Sequence, residues 1–238
     1  LWLNAHAASP DIALASNGLH RADVTALLLD APRLGLRPRL FDPARAAVYP
    51  ANASGPPLVI LRESTPETNE LIQAWPVIFA DAAFTILTPQ PLEPVSPLVA
   101  DFANGLTFLG YTLSRQASEL RLTAFWETAS SFQPPPPRPV EAPRPDEMGG
   151  GWPAPLKMFT HVLNPNGSYL TGDDRLDLDP ATLRVGDQFA QLFRITLPSD
   201  LAPGWYTLNI GLYHPVTGER VLRTTGEDHL TLTPLELP

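Results

Sequence analysis

The chain has 238 residues, and 16 Lys and Arg against 25 Asp and Glu give it a formal net charge of −9. This acidic balance argues against a nucleic-acid-binding protein, which would need a basic surface to neutralise phosphates. The absence of cysteine excludes disulfide bonds, zinc–thiolate sites, iron–sulfur clusters and a cysteine nucleophile. The 29 prolines disfavour long helices and favour strands joined by rigid turns.

The first part of the chain alternates short apolar runs with helix-like stretches. Apolar residues recur at helical spacing over 20–29, and Thr65-Pro66-Glu67 is typical of the start of a second helix over 65–75. Strands are predicted at 12–15, 39–41, 46–49, 58–61 and 84–87. This pattern predicts a small α/β domain over residues 1–97.

From residue 98 onwards the pattern indicates strands only. Apolar and other residues alternate over 120–126, and the run 106–113 is its predicted antiparallel partner. Further strands are predicted at 158–163, 188–197, 205–213, 219–224 and 229–232. About seven short strands separated by turn signals are typical of an immunoglobulin-like antiparallel β-sandwich. The predicted fold class is therefore α+β overall, with the sandwich over residues 98–238.

A proline-rich and glycine-rich segment spans residues 130–155. Its composition predicts an exposed polyproline-like conformation. A domain linker and a ligand for a proline-recognition domain are the alternatives to a long loop. We favour a loop within the sandwich, because the two strands before the segment cannot bury an apolar face by themselves.

Sequence-local catalytic signatures are absent: there is no phosphate-binding glycine loop, no Gly-x-Ser-x-Gly and no His-Glu-x-x-His. An enzyme assembled from scattered residues stays open, and its site would lie near Ser16-Asn17-Gly18 and His20, where a strand meets a helix. None of the five histidines is spaced with another as a metal pair. For His161, which lies in a strand pattern, a packed or hydrogen-bonded role is favoured over ligation.

The most acidic segment contains Asp173, Asp174, Asp177 and Asp179. Carboxylates at such short spacing supply the hard oxygen ligands that calcium prefers, so these four residues are the predicted metal site. The segment lacks the glycine and the terminal glutamate of an EF-hand loop, and a solvated loop is the alternative. No other cofactor is predicted.

Several aromatic residues in the second part are candidates for a sugar-stacking surface. Trp205 and Tyr206 are adjacent in a predicted strand and must point to opposite faces, so one of the two belongs to the core. Trp152 lies beside glycines and is the better exposed candidate. The predicted binding residues are Trp152, Trp205, Tyr213 and His161.

Four segments resemble a known family. Two of them are similar to strand patterns: GLTFLGY (residues 105–111) to LLGY, and LRLTAFW (residues 120–126) to LxLTLYW. The third, MFTHVLNPNG (residues 158–167), is similar to a hairpin with the pattern FVHLLDxxG. The fourth, LPSDLAPGWYTLNIGLY (residues 197–213), is similar to the pattern LPxxLPPGxYxLxVGLY. They resemble the extracytoplasmic C-terminal region of bacterial family-39 membrane glycosyltransferases, the dolichyl-phosphate-mannose protein mannosyltransferase-like group. In those enzymes acidic residues of the membrane-embedded half transfer sugar from a polyprenyl-linked donor. No catalytic residue therefore carries over to this chain.

The resemblance implies a non-catalytic, extracytoplasmic accessory region that contacts a glycan or protein acceptor and the membrane-embedded half of its parent chain. The chain begins at Leu1 rather than Met, and we expect it to be a fragment tethered through a missing N-terminal part. The alternative is a free-standing secreted module that binds carbohydrate or protein. An independent enzyme with a site in the α/β domain is the third hypothesis.

Overall fold

The computed structural model describes residues 11–16, 37–51, 57–62, 70–81, 84–135 and 155–237. The strands of the first part are β1 (Asp11–Ser16), β2 (Arg37–Phe41), β3 (Ala46–Tyr49), β4 (Leu58–Arg62), β5 (Val77–Ala80) and β6 (Phe84–Leu87). Those of the second part are β7 (Ser96–Asp101), β8 (Leu106–Gln116), β9 (Glu119–Thr128), β10 (Lys157–Leu163), β11 (Tyr169–Gly172), β12 (Gln188–Thr196), β13 (Gly204–Tyr213), β14 (Arg220–Val221), β15 (Leu230–Thr231) and β16 (Leu235–Leu237). A 3₁₀ helix, Pro180–Thr182, precedes β12.

The first sheet is mixed, with the spatial order β2-β1-β4-β6-β5. Strand β1 pairs in parallel with β2 and β4, whereas β6 pairs antiparallel with β4 and β5. The strand predictions for this part agree with the structure, except that β5 was not predicted. Its sequence, Val-Ile-Phe-Ala, is a short apolar run without alternation.

The α/β prediction for residues 1–97 is not supported, because the described residues contain strands and turns but no α-helix. Of the helix predicted over 65–75, the structure describes residues 70–75, and these form a turn. In that turn the Trp75 amide donates to the Ile72 carbonyl three residues earlier. Burial of Ile72 and Trp75 and the proline that follows favour this tight turn over a helix. The helix predicted over 20–29 lies outside the described residues.

Two antiparallel sheets form the predicted β-sandwich. One has the order β3-β12-β9-β8-β7, and the other has the order β11-β10-β13-β14, with β15 and β16 also paired to β13. The alternation predicted for β9 is confirmed: the side chains at 120, 122, 124 and 126 are all buried. Strands β7, β11 and β16 were not predicted, and β7 contains a proline and an irregular register with β8.

Trp126 lies at the centre of the sandwich core. Its ring centroid is 5.0 Å from that of Phe108, 5.4 Å from that of Phe102 and 6.4 Å from that of Phe189. Inward-facing residues of β10 and β13 belong to the same hydrophobic cluster. The two sheets therefore share one apolar interior, which is the main source of stability for such a fold.

The chain passes from the first sheet into the sandwich between β2 and β3. Strand β3 precedes the predicted domain boundary at residue 97, yet it is an edge strand of the sandwich and pairs with β12. Strand β2 is also held by the segment before β12: Asp179 N donates to Leu40 O at 2.9 Å, and Asp42 N donates to Asp177 O at 2.7 Å. Backbone hydrogen bonds thus join the first sheet to the sandwich.

The predicted proline-rich loop connects β9 to β10, and these two strands lie in different sheets of the sandwich. Its middle, residues 136–154, lies outside the described residues. The polyproline-like conformation stays a prediction.

A buried ion pair links the first sheet to the turn before β12. Arg39 of β2 donates from Nε and Nη2 to the carboxylate of Asp187 at 2.7 and 3.0 Å, and the two side chains are only 2% and 0% exposed. The amides of Ala51 and Arg184 donate to the same carboxylate at 2.8 and 2.7 Å. Four donors therefore compensate the burial of one negative charge.

We predict that Asp187→Asn lowers the free energy of unfolding by about 3–5 kcal/mol, because it removes the buried negative charge that pairs with Arg39 and accepts from two backbone amides. Urea unfolding followed by circular dichroism measures the change. Asp200→Asn, at an exposed aspartate, is the matched control and should change stability by no more than about 0.5 kcal/mol. Equal midpoints for the two variants would contradict the structural role assigned to Asp187.

Candidate functional site

Strands β10 and β13 bring aromatic and polar residues together on the outer face of their sheet. Phe159 pairs with Gly211 and Lys157 pairs with Tyr213 across the ladder. Because side chains alternate along a strand, Phe159, His161 and Tyr213 all project to the same side. The opposite side contributes to the sandwich core.

A glycine allows the Phe159 ring to lie across the sheet. A Cβ atom at Gly211 would stand only 2.3 Å from Cζ of Phe159, a distance that no side chain tolerates. The Arg220 guanidinium lies over this ring, 3.7 Å from its centroid and 5.5 Å from that of Tyr213. Phe159 is 3% exposed and so forms the floor of the site, held by a cation–π contact.

His161 stands beside this floor. Its ring centroid is 4.6 Å from that of Phe159 and 5.0 Å from that of Tyr169, whose ring meets it edge-on at 83°. Tyr169 is 60% exposed and presents an aromatic surface to solvent. The packed role predicted for His161 therefore agrees with its position between two aromatic rings.

Asp174 provides the carboxylate of the site. Its Oδ1 lies 3.3 Å from Nε2 of His161, and its side chain is 39% exposed. Burial raises the pKa of Tyr169, and the Asp174 charge raises it further. Burial, followed by the charge and the hydrogen bond of Asp174, raises the pKa of Tyr213 to about 12, while Arg220 opposes the shift. The Asp174 carboxylate thus lies beside His161, and its charge acts on both tyrosines. We call Asp174, His161, Tyr169 and Tyr213 the carboxylate cluster.

The cluster combines three kinds of contact within one surface. The Asp174 carboxylate accepts hydrogen bonds, the Tyr213 phenol keeps its proton at neutral pH and donates one, and the Tyr169 ring offers an apolar surface. This combination suits a ligand that has hydroxyl groups together with an apolar C–H surface.

Two of the four predicted binding residues, Tyr213 and His161, come together in the cluster. Trp205 lies on the same face of β13, but eight residues from Tyr213, which is about 26 Å along an extended strand. The prediction that one of Trp205 and Tyr206 belongs to the core is confirmed, since Tyr206 is 3% exposed and Trp205 is 61% exposed. Trp152 lies outside the described residues, as do Asn17, Gly18 and His20 of the alternative enzyme site.

Three of the four aspartates predicted as calcium ligands are engaged by arginines or by backbone amides. Asp177 binds Arg175 and accepts from Gln191 Nε2 at 2.7 Å. Asp173 accepts from the Arg194 amide at 3.0 Å, and Asp179 caps the 3₁₀ helix. Among the described residues no three carboxylate or imidazole groups are arranged to hold a metal ion. The calcium site stays a prediction without a preformed ligand set in that part of the chain.

Burial raises the pKa of both Asp173 and Asp179. Backbone hydrogen bonds to each carboxylate oppose this effect, as do the charges of Arg175 and Arg45 at Asp173. The segment is therefore a partly buried ionic network rather than a solvated loop.

Sequence reasoning did not identify Tyr169, Phe159 and Arg220 as site residues, and it assigned Asp174 to a metal. The spacing of Phe159 and His161, two apart in a strand, indicates a shared face. The other members come from β11, β14 and the segment after β11, and only the strand pairing brings them to that face.

Comparisons with known proteins identify no family for this chain. No family model matches the sequence, and no curated protein matches it. The solved structures that it resembles include a glycosyl hydrolase family 2 member from Bacteroides cellulosilyticus DSM 14838, with 11% identity and a TM-score of 0.29 over 64% of this chain and 16% of that one. They also include a putative beta-galactosidase from Bacteroides fragilis, with 16% identity and a TM-score of 0.30 over 65% of this chain and 18% of that one. The matched region thus spans less than a fifth of either neighbour.

The described part of the chain also contains no helix with the length and apolar character needed to cross a bilayer.

The surroundings of Tyr213 predict that its phenol loses its proton at a higher pH than an ordinary tyrosine. Tyr213 should ionise near pH 12 in the folded protein, compared with an unperturbed value of 10.0. Because the folded pKa is the higher one, the contribution of this group to stability is complete below about pH 10 and is lost as the pH rises towards 12.

Absorbance at 295 nm as a function of pH measures this titration. Tyr213→Phe should remove the late component, and Asp174→Asn should move it to lower pH, because the neighbouring negative charge is gone. A titration curve that Asp174→Asn leaves unchanged would contradict the proximity of the two groups.

Proposed function

We propose that the carboxylate cluster binds carbohydrate and that the chain is a non-catalytic binding region. The observation that carries the proposal is the partly exposed Asp174 carboxylate beside His161, on the same face as the exposed Tyr169 ring and the Tyr213 phenol. A sugar ring matches this surface, because its hydroxyls donate to a carboxylate while its C–H face packs on an aromatic ring.

The protonated phenol of Tyr213 suits binding better than catalysis. A phenol with the ordinary pKa of 10.0 is already neutral at physiological pH, and the raised pKa of Tyr213 makes a role as nucleophile or base still less favourable. The absence of local catalytic signatures from the sequence supports the same conclusion.

The charge of the surface favours a neutral sugar. Asp174 is accompanied by Asp228, which lies close enough to Arg220 for that guanidinium to lower its pKa, after the larger effect of its hydrogen bond with His229. The carboxylates of Asp174 and Asp228 would repel an anionic ligand, and the chain as a whole has a formal charge of −9.

Removal of Tyr169 and of the Asp174 charge tests the binding site directly. Neutral oligosaccharides built from hexoses, N-acetylhexosamines and deoxyhexoses are presented on an array, and those that bind are measured by calorimetry. Asp174→Asn should weaken binding about 10-fold or more, because a hydrogen bond to a charged group contributes about 1.5–3 kcal/mol. Tyr169→Ala should weaken it by a similar factor, because it removes the aromatic ring on which the sugar packs.

Val99→Ala is the control, since Val99 is an exposed side chain on the edge strand β7, in the other sheet. It should leave the affinity unchanged. Failure of every neutral sugar to bind, or equal binding by all three variants, would overturn the proposed function.

We also propose that the chain is the accessory region of a family-39 membrane glycosyltransferase, with an extracytoplasmic location. The sequence resemblance described above supports this proposal. The strands formed by its motifs, β8, β9, β10 and β13, all belong to the sandwich. Near the start of β13 the Tyr206 hydroxyl donates to the Ala202 carbonyl, four residues earlier, at 2.7 Å. A tyrosine bonded in this way, a tyrosine corner, is typical of immunoglobulin-like sandwiches, and on this basis we assign the sandwich to that class.

The coding sequence upstream of Leu1 tests the parent assignment. We expect it to encode several apolar segments of about 20 residues, with acidic residues in an outward-facing loop. A secretory leader directly before Leu1 would contradict this assignment and would favour a free-standing secreted binding module.

A further inference from the structure

Trp205 is a large exposed side chain that the carboxylate cluster does not use. It lies near the start of β13 opposite Glu236 of β16, and its side chain projects to the same outer face as Tyr213. It is 61% exposed, whereas its neighbour Tyr206 is buried in the core. Singly exposed aromatic side chains are common on protein surfaces, so Trp205 points to a ligand only together with the residues that connect it to the cluster.

A continuous row of residues connects Trp205 to the cluster. Thr207, two positions along β13, pairs with Leu163 of β10, and Leu163 pairs with Tyr169 of β11. Leu163 and Thr207 are both partly exposed. Two strand spacings of about 4.8 Å and two residues of about 3.3 Å place the backbones of Tyr169 and Trp205 about 12 Å apart.

We propose that the ligand is an extended oligosaccharide that runs across the outer face from the carboxylate cluster to Trp205, where a second sugar ring stacks. This inference rests on the proposed function and specifies its ligand. A single sugar ring covers one aromatic side chain, so two exposed aromatic residues whose backbones lie about 12 Å apart are engaged together only by a chain of several sugars. Leu163 and Thr207 lie under the sugars between them.

The dependence of affinity on chain length tests the inference. The probes are α-1,4-glucans, β-1,4-glucans and α-1,6-mannans from monosaccharide to hexasaccharide, together with the corresponding series of any other sugar bound on the array. Affinity should rise with length until the chain reaches Trp205 and then stay constant.

The substitution Trp205→Ala should weaken binding of the longest oligosaccharide about 10-fold, leave the shortest binding oligosaccharide unchanged, and abolish the length dependence. Tyr169→Ala should instead weaken binding at every length. Val216→Ala, at an exposed residue of the β13–β14 connection, is the control and should change neither affinity.

The outcomes separate the two proposals. Sugar binding that depends on Tyr169 and Asp174, but not on length or on Trp205, retains the proposed function and overturns the extended ligand. No binding of any sugar series overturns both.

Discussion

The carboxylate of Asp187 connects the first sheet to the sandwich, and the arrangement of the rest of the structure depends on it. It accepts from the guanidinium of Arg39 and from the amides of Ala51 and Arg184, so that residues before β12 and residues on both sides of β3 converge on one charge. Burial of a carboxylate is unfavourable unless donors replace its water. Here four donors replace the water around the Asp187 carboxylate. Because each donor must point at the carboxylate, these bonds fix the positions of β2, β3 and the turn before β12 relative to one another.

The same constraint bears on the candidate site. The segment between β11 and β12 follows the sandwich edge, and β2 binds it through backbone hydrogen bonds at Asp177 and Asp179. Within the sandwich, the side-chain oxygen of Gln191 on β12 accepts a hydrogen bond from the Asp177 backbone amide at 2.8 Å. The side-chain nitrogen of Gln191 donates to the Asp177 carboxylate. Asp174 lies three residues before this anchored position. The ionic network therefore holds in place the carboxylate that faces His161 and the two tyrosines.

The outer face illustrates how a sheet can expose aromatic rings without losing its core. On β13 the inward positions are apolar and buried, while the outward positions include Trp205, Thr207, Gly211 and Tyr213. The glycine gives the Phe159 ring room, and the Arg220 guanidinium covers that ring. The buried Phe159 ring therefore forms a packed layer next to His161 and Tyr213 on the outer face.

The sequence by itself determined the features that depend on local alternation: the sandwich strands β8, β9, β10, β12 and β13, and the opposite faces of Trp205 and Tyr206. These follow from a two-residue period that every strand must have. Tertiary structure decided the rest. In its described residues, 70–75, the helix predicted over 65–75 is a turn in which Ile72 and Trp75 are buried. Asp173 pairs with Arg45 and accepts from the Arg194 amide, and both partners are distant in sequence, so no local pattern encodes these contacts. The carboxylate cluster likewise depends on the register between β10, β11 and β13, and no local pattern encodes that register.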